Sequence, residues 1–316
     1  MCIYPCALIR STGKIKNMTS DLDKLKKYAT YSSVIAAIII IIMKLAGWVL
    51  TNSLSIFASL TDSLLDAVTS MLNLLAVHYA LKPADNEHRF GHHKAEDLAV
   101  FVQSAFFGAS GIFLIIAAIK RAVYPIPLDY SYHGIVIMMG SIIVTICLIT
   151  FQRYVIKKTG SDVIKADSLH YSIDLLSNIA VIISLIIVTI WDINIIDPLF
   201  AIIVAIFILH GSWELLCGAF DKLMDRELSE EKKQRIINII RLHDVIKGFH
   251  DLKTRHAGNK VFIQFHLELD PNITLNKAHN ISVEIEHKLL QEFEGAEIII
   301  HQDPAGIDEH VEYIET

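Results

Sequence analysis

Long apolar runs alternate with short polar segments along the first 220 residues of the chain. Each run approaches or exceeds the roughly 20 residues with which an α-helix crosses the hydrocarbon core of a bilayer. Backbone groups in lipid must be satisfied within their own segment, so runs that span a membrane form helices. The pattern therefore predicts a domain of six transmembrane helices over residues 29–220, after an N-terminal tail of residues 1–28. The predicted helices cover residues 29–50, 53–79, 98–119, 132–154, 166–191 and 198–220.

The periodicity changes after residue 226, where charged residues become frequent. The first segment has helical periodicity, and Glu230 and Glu231 stand in its first turn, where the helix dipole favours acidic side chains. Two runs of alternating apolar and polar residues follow, and then an amphipathic stretch and a third short run. This α-β-β-α-β order predicts a small α+β domain over residues 226–304, with its helices on one face of a three-stranded sheet. The predicted elements cover residues 229–245, 248–258, 259–270, 275–293 and 296–303, and residues 305–316 form a C-terminal tail.

The distribution of Lys and Arg predicts the orientation in the membrane. The N-terminal segment and the loops at 82–97 and 153–165 are basic, whereas the links at 51–52 and 192–197 contain neither Lys nor Arg. Cytoplasmic loops carry the positive excess in membrane proteins. Both termini, and with them the C-terminal α+β domain, are therefore expected in the cytoplasm.

The composition agrees with an integral membrane protein in contact with the lipid bilayer. The 316-residue chain is 53% hydrophobic, and its mean hydropathy is +0.46, which is too apolar for an ordinary soluble domain. The net charge of −6 gives no indication of a nucleic-acid partner. The four cysteines are scattered and lack CxxC spacing. The sequence therefore predicts neither a disulfide framework nor a cysteine-based metal site.

Two pairs of polar residues interrupt the apolar runs at helical spacing. Asp62 and Asp66 lie four residues apart in the segment LTDSLLD, and His170 and Asp174 lie four apart in SLHYSID. Residues i and i+4 share one helix face, and ionisable groups at membrane depth usually mark an ion path. One such Asp alone could equally be a helix-end residue or a hydrogen-bonding partner. Two matched pairs favour a metal site, because carboxylates and imidazole suit the tetrahedral coordination of Zn²⁺.

A second group of metal-ligand residue types occupies the basic loop after the second apolar run. Asp85, His88 and His92, which we call the loop cluster, are spaced by three and four residues, and His93 follows directly. Short His-rich tracts are a compositional indication of metal binding. The alternative is a solvated loop at the membrane surface. Both interpretations remain open from the sequence.

A third group lies in the predicted α+β domain. It contains His250, Asp251, His266, His279, His301 and Asp303. Because side chains alternate along a strand, His301 and Asp303 share one face, and a neighbouring strand and helix can bring the other histidines close to them. A carboxylate between imidazoles could bridge two metal ions, and ordinary surface histidines are the alternative.

Taken in their order along the chain, these segments resemble the cation diffusion facilitator family, and in particular its bacterial branch for zinc and ferrous-iron efflux. The resemblance extends from about residue 25 to residue 305, and the first 17 residues are additional. It rests on the Asp-x3-Asp pair and on PADNEHRFGHHKAE (83–96), KADSLHYSID (165–174), LMDR (223–226), GFHDLKTR (248–255), FIQFHLEL (262–269) and IIHQDP (299–304).

The resemblance implies a homodimer of six-span protomers with a metallochaperone-like cytoplasmic domain, in the inner membrane of a bacterium. It implies that the two intramembrane pairs form the transport site and that the loop cluster binds metal. It also implies that the four histidines of the third group form a cytoplasmic binuclear site bridged by Asp303. Lys94 and Asp225 match a pair of charges that interlock near the junction of membrane and cytoplasm in the dimer.

The expected function is that of a divalent cation/proton antiporter that exports Zn²⁺ from the cytoplasm by alternating access, with Fe²⁺ and Cd²⁺ as alternative cargoes. Zn²⁺ is expected as substrate and regulatory ligand, without a prosthetic group. In the family, His at position 170 accompanies zinc, cadmium or iron, because imidazole suits these ions better than Mn²⁺. The alternative is a membrane metal sensor that does not transport. An intramembrane metalloenzyme is disfavoured because the chain contains neither HExxH nor GxSxG.

Overall fold

The computed structural model describes residues 7–51, 54–124, 132–191, 196–243 and 245–306. The chain separates into two compact units, with the boundary between Leu223 and Met224. The predicted polar link at 192–197 lies mostly outside the described residues, as does the C-terminal tail from residue 307 onward. Each unit has its own architecture.

The N-terminal unit is helical. Within its described residues four helices are long and apolar enough to cross a membrane, namely α1, α3, α4 and α6. Length and composition therefore support four of the six predicted spans, and the other two helices, α2 and α5, are those that carry the predicted intramembrane ligands. The helices are α1 (Ala7–Thr51), α2 (Leu54–Ala80), α3 (Lys94–Val123), α4 (Tyr132–Thr159), α5 (Asp162–Trp191) and α6 (Ile196–Leu223).

Helix α1 begins earlier than the sequence predicted. Residues 7–28, which were expected to belong to the N-terminal tail, continue the first helix. The segment 14–28 contains neither proline nor glycine, and its Lys and Leu residues favour helix. The end of this segment is also anchored, because the buried ammonium of Lys26 lies 2.8 Å from a carboxylate oxygen of Glu96 on α3.

Small residues let α6 pack closely against its neighbours. A Cβ atom at Gly111 on α3 would lie 3.0 Å from the side chain of Leu209, and one at Gly211 on α6 would lie 2.8 Å from that of Leu169. Close backbone approach at glycine is a common means of helix association in membranes. The first contact holds α3 against α6, and the second holds α5, which carries His170, against α6.

The C-terminal unit confirms the predicted α-β-β-α-β order. Its described residues form a three-stranded sheet in the order β1-β2-β3. Strands β1 and β2 are antiparallel, and β2 and β3 are parallel. A bulge interrupts β1 between His250 and Lys253, and Asp251 there has a φ of 51°. The elements are α7 (Glu230–Arg241), β1 (Gly248–Ala257), β2 (Lys260–Leu269), α8 (Leu275–Glu292) and β3 (Glu297–Pro304).

The core of this unit lies between the two helices and one face of the sheet. Ile236 of α7 and Leu289 of α8 are fully buried in the same cluster as the inward-facing residues of β2. Alternation along β2 leaves its polar residues on the opposite face. Phe262 departs from the expected alternation: it is buried on that opposite face, where the guanidinium of Arg255 lies 4.3 Å from its ring. The inward-facing residues of β2 are Ile263, Phe265, Leu267 and Leu269.

Candidate metal centres

Helices α2 and α5 bring three of the four predicted intramembrane ligands together. The Nε2 atom of His170 lies 3.0 Å from Oδ1 of Asp66 and 3.7 Å from Oδ2 of Asp174. One ligand atom from each of the three residues lies within 4.8 Å of the other two. Two carboxylates and one imidazole at these distances can coordinate a divalent cation.

The imidazole of His170 is fixed by packing. The ring of Phe107 on α3 stacks on it, with the ring centroids 5.1 Å apart and the planes inclined by 6°. The side chain of His170 is 12% exposed, compared with 26% for Asp66. Asp174 is 36% exposed, so the imidazole is the most buried of the three ligands, and its ring stacks on a side chain of α3.

Asp62 lies one turn before Asp66 on α2, and its side chain is exposed. Among the described residues it does not belong to the group whose ligand atoms all lie within 4.8 Å of one another. The i,i+4 spacing placed Asp62 and Asp66 on one helix face, but sharing a face does not require that both carboxylates meet the same imidazole. Asp62 remains a predicted fourth ligand.

Asp167, which is buried three residues before His170, has a role that is not evident from the sequence. Its carboxylate accepts hydrogen bonds from Ser33 Oγ (2.5 Å), Asn73 Nδ2 (3.0 Å) and Gln152 Nε2 (2.7 Å). The donors come from α1, α2 and α4, so this one carboxylate ties α5 to three neighbours. Since Asp167 and His170 are less than one helical turn apart, these bonds fix the rotation of the helix that presents the imidazole. The sequence does show an Asp in KADSLHYSID, but spacing alone cannot separate a hydrogen-bond acceptor from a ligand.

The loop cluster is assembled around Asp85. Its Oδ1 atom lies 3.3 Å from His88 Nδ1, and its Oδ2 atom lies 3.3 Å from His92 Nε2. Backbone N–H groups of His88 and Glu87 donate to Oδ1, at 2.6 and 3.0 Å, and the first of these does most to lower the pKa of the carboxyl. The His92 side chain is 2% exposed, so one ligand of this exposed loop is anchored in the protein.

In the C-terminal unit, three histidines form a row across the sheet. His250 pairs in register with His266, which pairs with His301. Asp303 is 6% exposed, and its carboxylate contacts all three rings: it lies 2.8 Å from His266 Nδ1, 3.0 Å from His301 Nε2 and 3.6 Å from His250 Nε2. This arrangement suits a carboxylate that bridges metal ions bound by the flanking imidazoles.

Two further carboxylates lie beside these rings. Asp251 belongs to the third group found in the sequence, whereas Glu268 was not identified from the sequence. Glu268 Oε1 lies 2.9 Å from His250 Nδ1, and Asp251 Oδ2 lies 4.0 Å from His266 Nε2. Asp251 also accepts a hydrogen bond from the Lys253 ammonium, which lowers the pKa of the carboxyl. The position of Glu268 two residues after His266 in β2 was the signal available for it. Asp251 lies in the bulge of β1, next to His250.

His279 does not join this group within a single chain. It is exposed on α8, and the buried residues of that helix pack on the apolar face of the sheet. His266 and Asp303 lie on the other face. The predicted role of His279 in a binuclear site therefore stays a prediction that involves a second copy of the chain.

The two residues of the predicted dimer interlock have partners within their own units. Lys94 Nζ donates to the backbone carbonyl oxygen of Leu223 at 3.4 Å. Asp225 Oδ1 accepts a hydrogen bond from Arg255 Nη1 at 3.1 Å. The interlock between protomers remains a prediction.

Two family profiles match the chain, in the same order as its two units. The cation efflux transmembrane domain matches residues 30–224, and the cation efflux protein cytoplasmic domain matches residues 228–305. The chain belongs to the cation efflux family. Its resemblance to cation diffusion facilitators is thereby confirmed, and the protein is a membrane-integral cation efflux transporter and not an enzyme.

Curated relatives agree over almost the whole chain of this cation efflux protein. It is 48% identical over 299 residues to protein p34 of Rickettsia prowazekii, which covers 94% of this chain and 99% of that protein. It is 41% identical over 293 residues to cation-efflux pump FieF of Shewanella oneidensis, covering 92% and 98% of the two chains. It is 38% identical over 290 residues to FieF of Cronobacter sakazakii, covering 92% and 96%.

Proposed function

We propose that this protein exports Zn²⁺ from the cytoplasm in exchange for protons, by alternating access of the site formed by Asp66, His170 and Asp174. Asp62 would complete the coordination as the fourth ligand. Fe²⁺ and Cd²⁺ are the alternative cargoes. The observation that carries the proposal is the convergence of these ligands between two helices of a cation efflux domain, with the imidazole 3.0 Å from the nearest carboxylate.

The donor types support Zn²⁺ as the cargo. An imidazole with carboxylates suits Zn²⁺, whereas a site made only of oxygen ligands is better suited to Mn²⁺ or Mg²⁺. His170 is the one nitrogen ligand of this site, so it carries the selectivity. Its stacking on Phe107 holds the ring in place while a cation binds and leaves.

Protons are the proposed counter-ions because metal and protons compete for the same ligand atoms. A bound cation requires ionised carboxylates and a neutral imidazole, so metal loading releases protons. Histidine exchanges its proton near physiological pH. In this account the empty site takes up protons on the far side of the membrane and returns, so that the proton gradient drives export.

We also propose that the protein functions as a homodimer in a bacterial inner membrane, with six spans per protomer and both termini in the cytoplasm. Zn²⁺ bound by the row of His250, His266 and His301 would draw the cytoplasmic domains of two copies together. His279 would be a ligand from the second copy, and Lys94 and Asp225 would interlock between the protomers. Such binding affects transport only if the cytoplasmic domain binds metal more tightly in one transport state than in the other. The loop cluster would hold a further ion.

Metal content of cells distinguishes export from sensing. Expression in a bacterium that lacks its own zinc exporters is expected to raise the zinc concentration that permits growth and to lower total cell zinc, measured by mass spectrometry. A His170→Ala variant should lose both effects, while His78→Ala, an exposed histidine on α2, should keep them. A changed transcriptional response to zinc without a change in cell zinc would contradict export and favour the sensor.

A further inference from the structure

Helix α1 carries one lysine in its apolar half, at position 44, and that residue faces the proposed transport site. Lys44 is half-buried, and its ammonium donates a hydrogen bond to Ser63 Oγ on α2 at 2.6 Å. Ser63 is buried and lies between Asp62 and Asp66 in the sequence. The ammonium is therefore held beside the helix segment that supplies the first two ligands.

The electrostatic neighbours of Lys44 are all residues of that site. The acidic side chains near enough to attract its ammonium are those of Asp66, Asp174 and Asp62. Asp62 and Asp66 belong to α2 and Asp174 belongs to α5, so α1 supplies the cation and two other helices supply the anions. A charged group in a membrane helix is costly unless it is paired or serves the ion path, and these carboxylates provide the pairing.

The formal charges of the proposed ligands and Lys44 together match the charge of one divalent cation, with the opposite sign. For the four proposed ligands and Lys44 alone, three ionised carboxylates, a neutral imidazole and one ammonium give a net charge of −2. A bound Zn²⁺ brings the sum to zero, whereas without Lys44 the loaded site would keep one negative charge. Charge at membrane depth is expensive, so a neutral loaded site changes its exposure between the two sides of the membrane more readily than a charged one.

We propose that Lys44 is a fixed counter-charge of the transport site, which weakens metal binding enough for release and makes the divalent-loaded site neutral. It is not a metal ligand. This inference rests on the proposed transport function. The simpler alternative is that Lys44 only anchors α1 to α2 through Ser63.

Three substitutions separate the two roles. Lys44→Met removes both the charge and the hydrogen bond, Lys44→Gln keeps a donor for Ser63 but no charge, and Lys44→Arg keeps both. Lys158→Met removes an exposed lysine at the end of α4 and is the matched control. Each purified full-length protein is first checked for monodisperse elution in detergent.

Affinity and turnover are then measured separately. Zinc binding to the transport site is taken by calorimetry at pH 8 as the difference between each protein and the same protein carrying Asp66→Ala. Zinc flux is measured in proteoliposomes over a range of zinc concentrations. Met and Gln at position 44 are expected to tighten zinc binding on the order of tenfold, because they remove a positive charge near the cation in a partly buried site. They are expected to lower maximal flux about tenfold, because the loaded site then keeps a negative charge at membrane depth. Arg and the Lys158 control should stay within about threefold of the original protein in both, because a threefold change is under 1 kcal/mol.

The results distinguish a counter-charge from an anchor. A Gln variant that behaves like the original protein while Met fails would overturn the counter-charge and leave the anchor. Unchanged zinc affinity in both Met and Gln would overturn it as well. Absence of zinc flux from the unsubstituted protein would contradict the proposed transport function, and the affinity ratios would still decide the role of Lys44.

Discussion

Replacement of Asp66 by alanine is expected to abolish zinc transport, with a loss of at least about hundredfold, since even partners outside the ligand shell cost tenfold to hundredfold when changed. Asp66 is the carboxylate closest to His170, at 3.0 Å. Removing it leaves two of the three grouped ligands and no carboxylate from α2 in that group. The measurement is zinc flux into proteoliposomes, together with growth of cells on zinc.

The matched control for this change is Asp21→Ala. Asp21 lies on the exposed part of α1 and pairs with Lys24 at 3.0 Å. The Asp21→Ala substitution removes the same charge far from the proposed ligands in the sequence, and full transport activity is expected. Retention of a third or more of the flux by Asp66→Ala would show that this carboxylate is not a required ligand. Asp62 and Asp174 would then be the carboxylate ligands of the transport site.

Replacement of Asp303 by asparagine is expected to weaken zinc binding by the cytoplasmic domain by about tenfold to hundredfold, a range typical for the loss of residues that support a metal site. The reason is that three imidazoles meet this one carboxylate, at 2.8 to 3.6 Å. Asparagine keeps the shape but not the negative charge or the ability to bridge two ions. The measurement is zinc titration of the full-length protein, with the number of bound ions per chain as a second readout.

Glu286→Gln is the control, because Glu286 is an exposed acid of α8 and belongs to none of the metal-ligand groups found among the described residues. It should bind zinc like the original protein. If Asp303→Asn also keeps the full number of bound ions at the original affinity, the binuclear site is wrong. If binding is lost but flux at high zinc is unchanged, the cytoplasmic domain does not regulate transport.

Much of the architecture followed from the sequence, because each face of a helix or strand carries residues that suit its surroundings. The pattern of apolar and polar residues therefore reveals the element. The three strands and two helices of the C-terminal unit have nearly the predicted bounds, and the placement of His266, His301 and Asp303 on one face follows from the pleat. Helix α1 extends to Ala7, through residues that the sequence assigned to the N-terminal tail. The charged segment 14–28 has helical propensity, but apolar periodicity does not reveal it.

The site was less predictable where it depends on contacts between elements. Asp167 and Asp66 are both acids in apolar helices, yet only the packing of α1, α2 and α4 reveals that Asp167 is already satisfied by three donors. Glu268 joins His250 through strand pairing, which spacing within one strand does not specify. From the sequence, the lone Lys44 of the first apolar run could snorkel, pair or hydrogen-bond. The packing of α1 against α2 gives it Ser63 as a hydrogen-bond partner.

The most direct test of cation/proton exchange is a simultaneous record of both ions in proteoliposomes of the purified protein, with a zinc-sensitive and a pH-sensitive dye enclosed in the lumen. An imposed pH gradient, acidic inside, should drive zinc inward while the lumen loses protons, and Asp66→Ala should show neither movement. Zinc entry that is unaffected by the gradient and moves no protons would contradict exchange. Absence of zinc, iron or cadmium flux above that of empty liposomes, despite tight zinc binding, would contradict transport and leave the intramembrane group as a structural or sensory metal site.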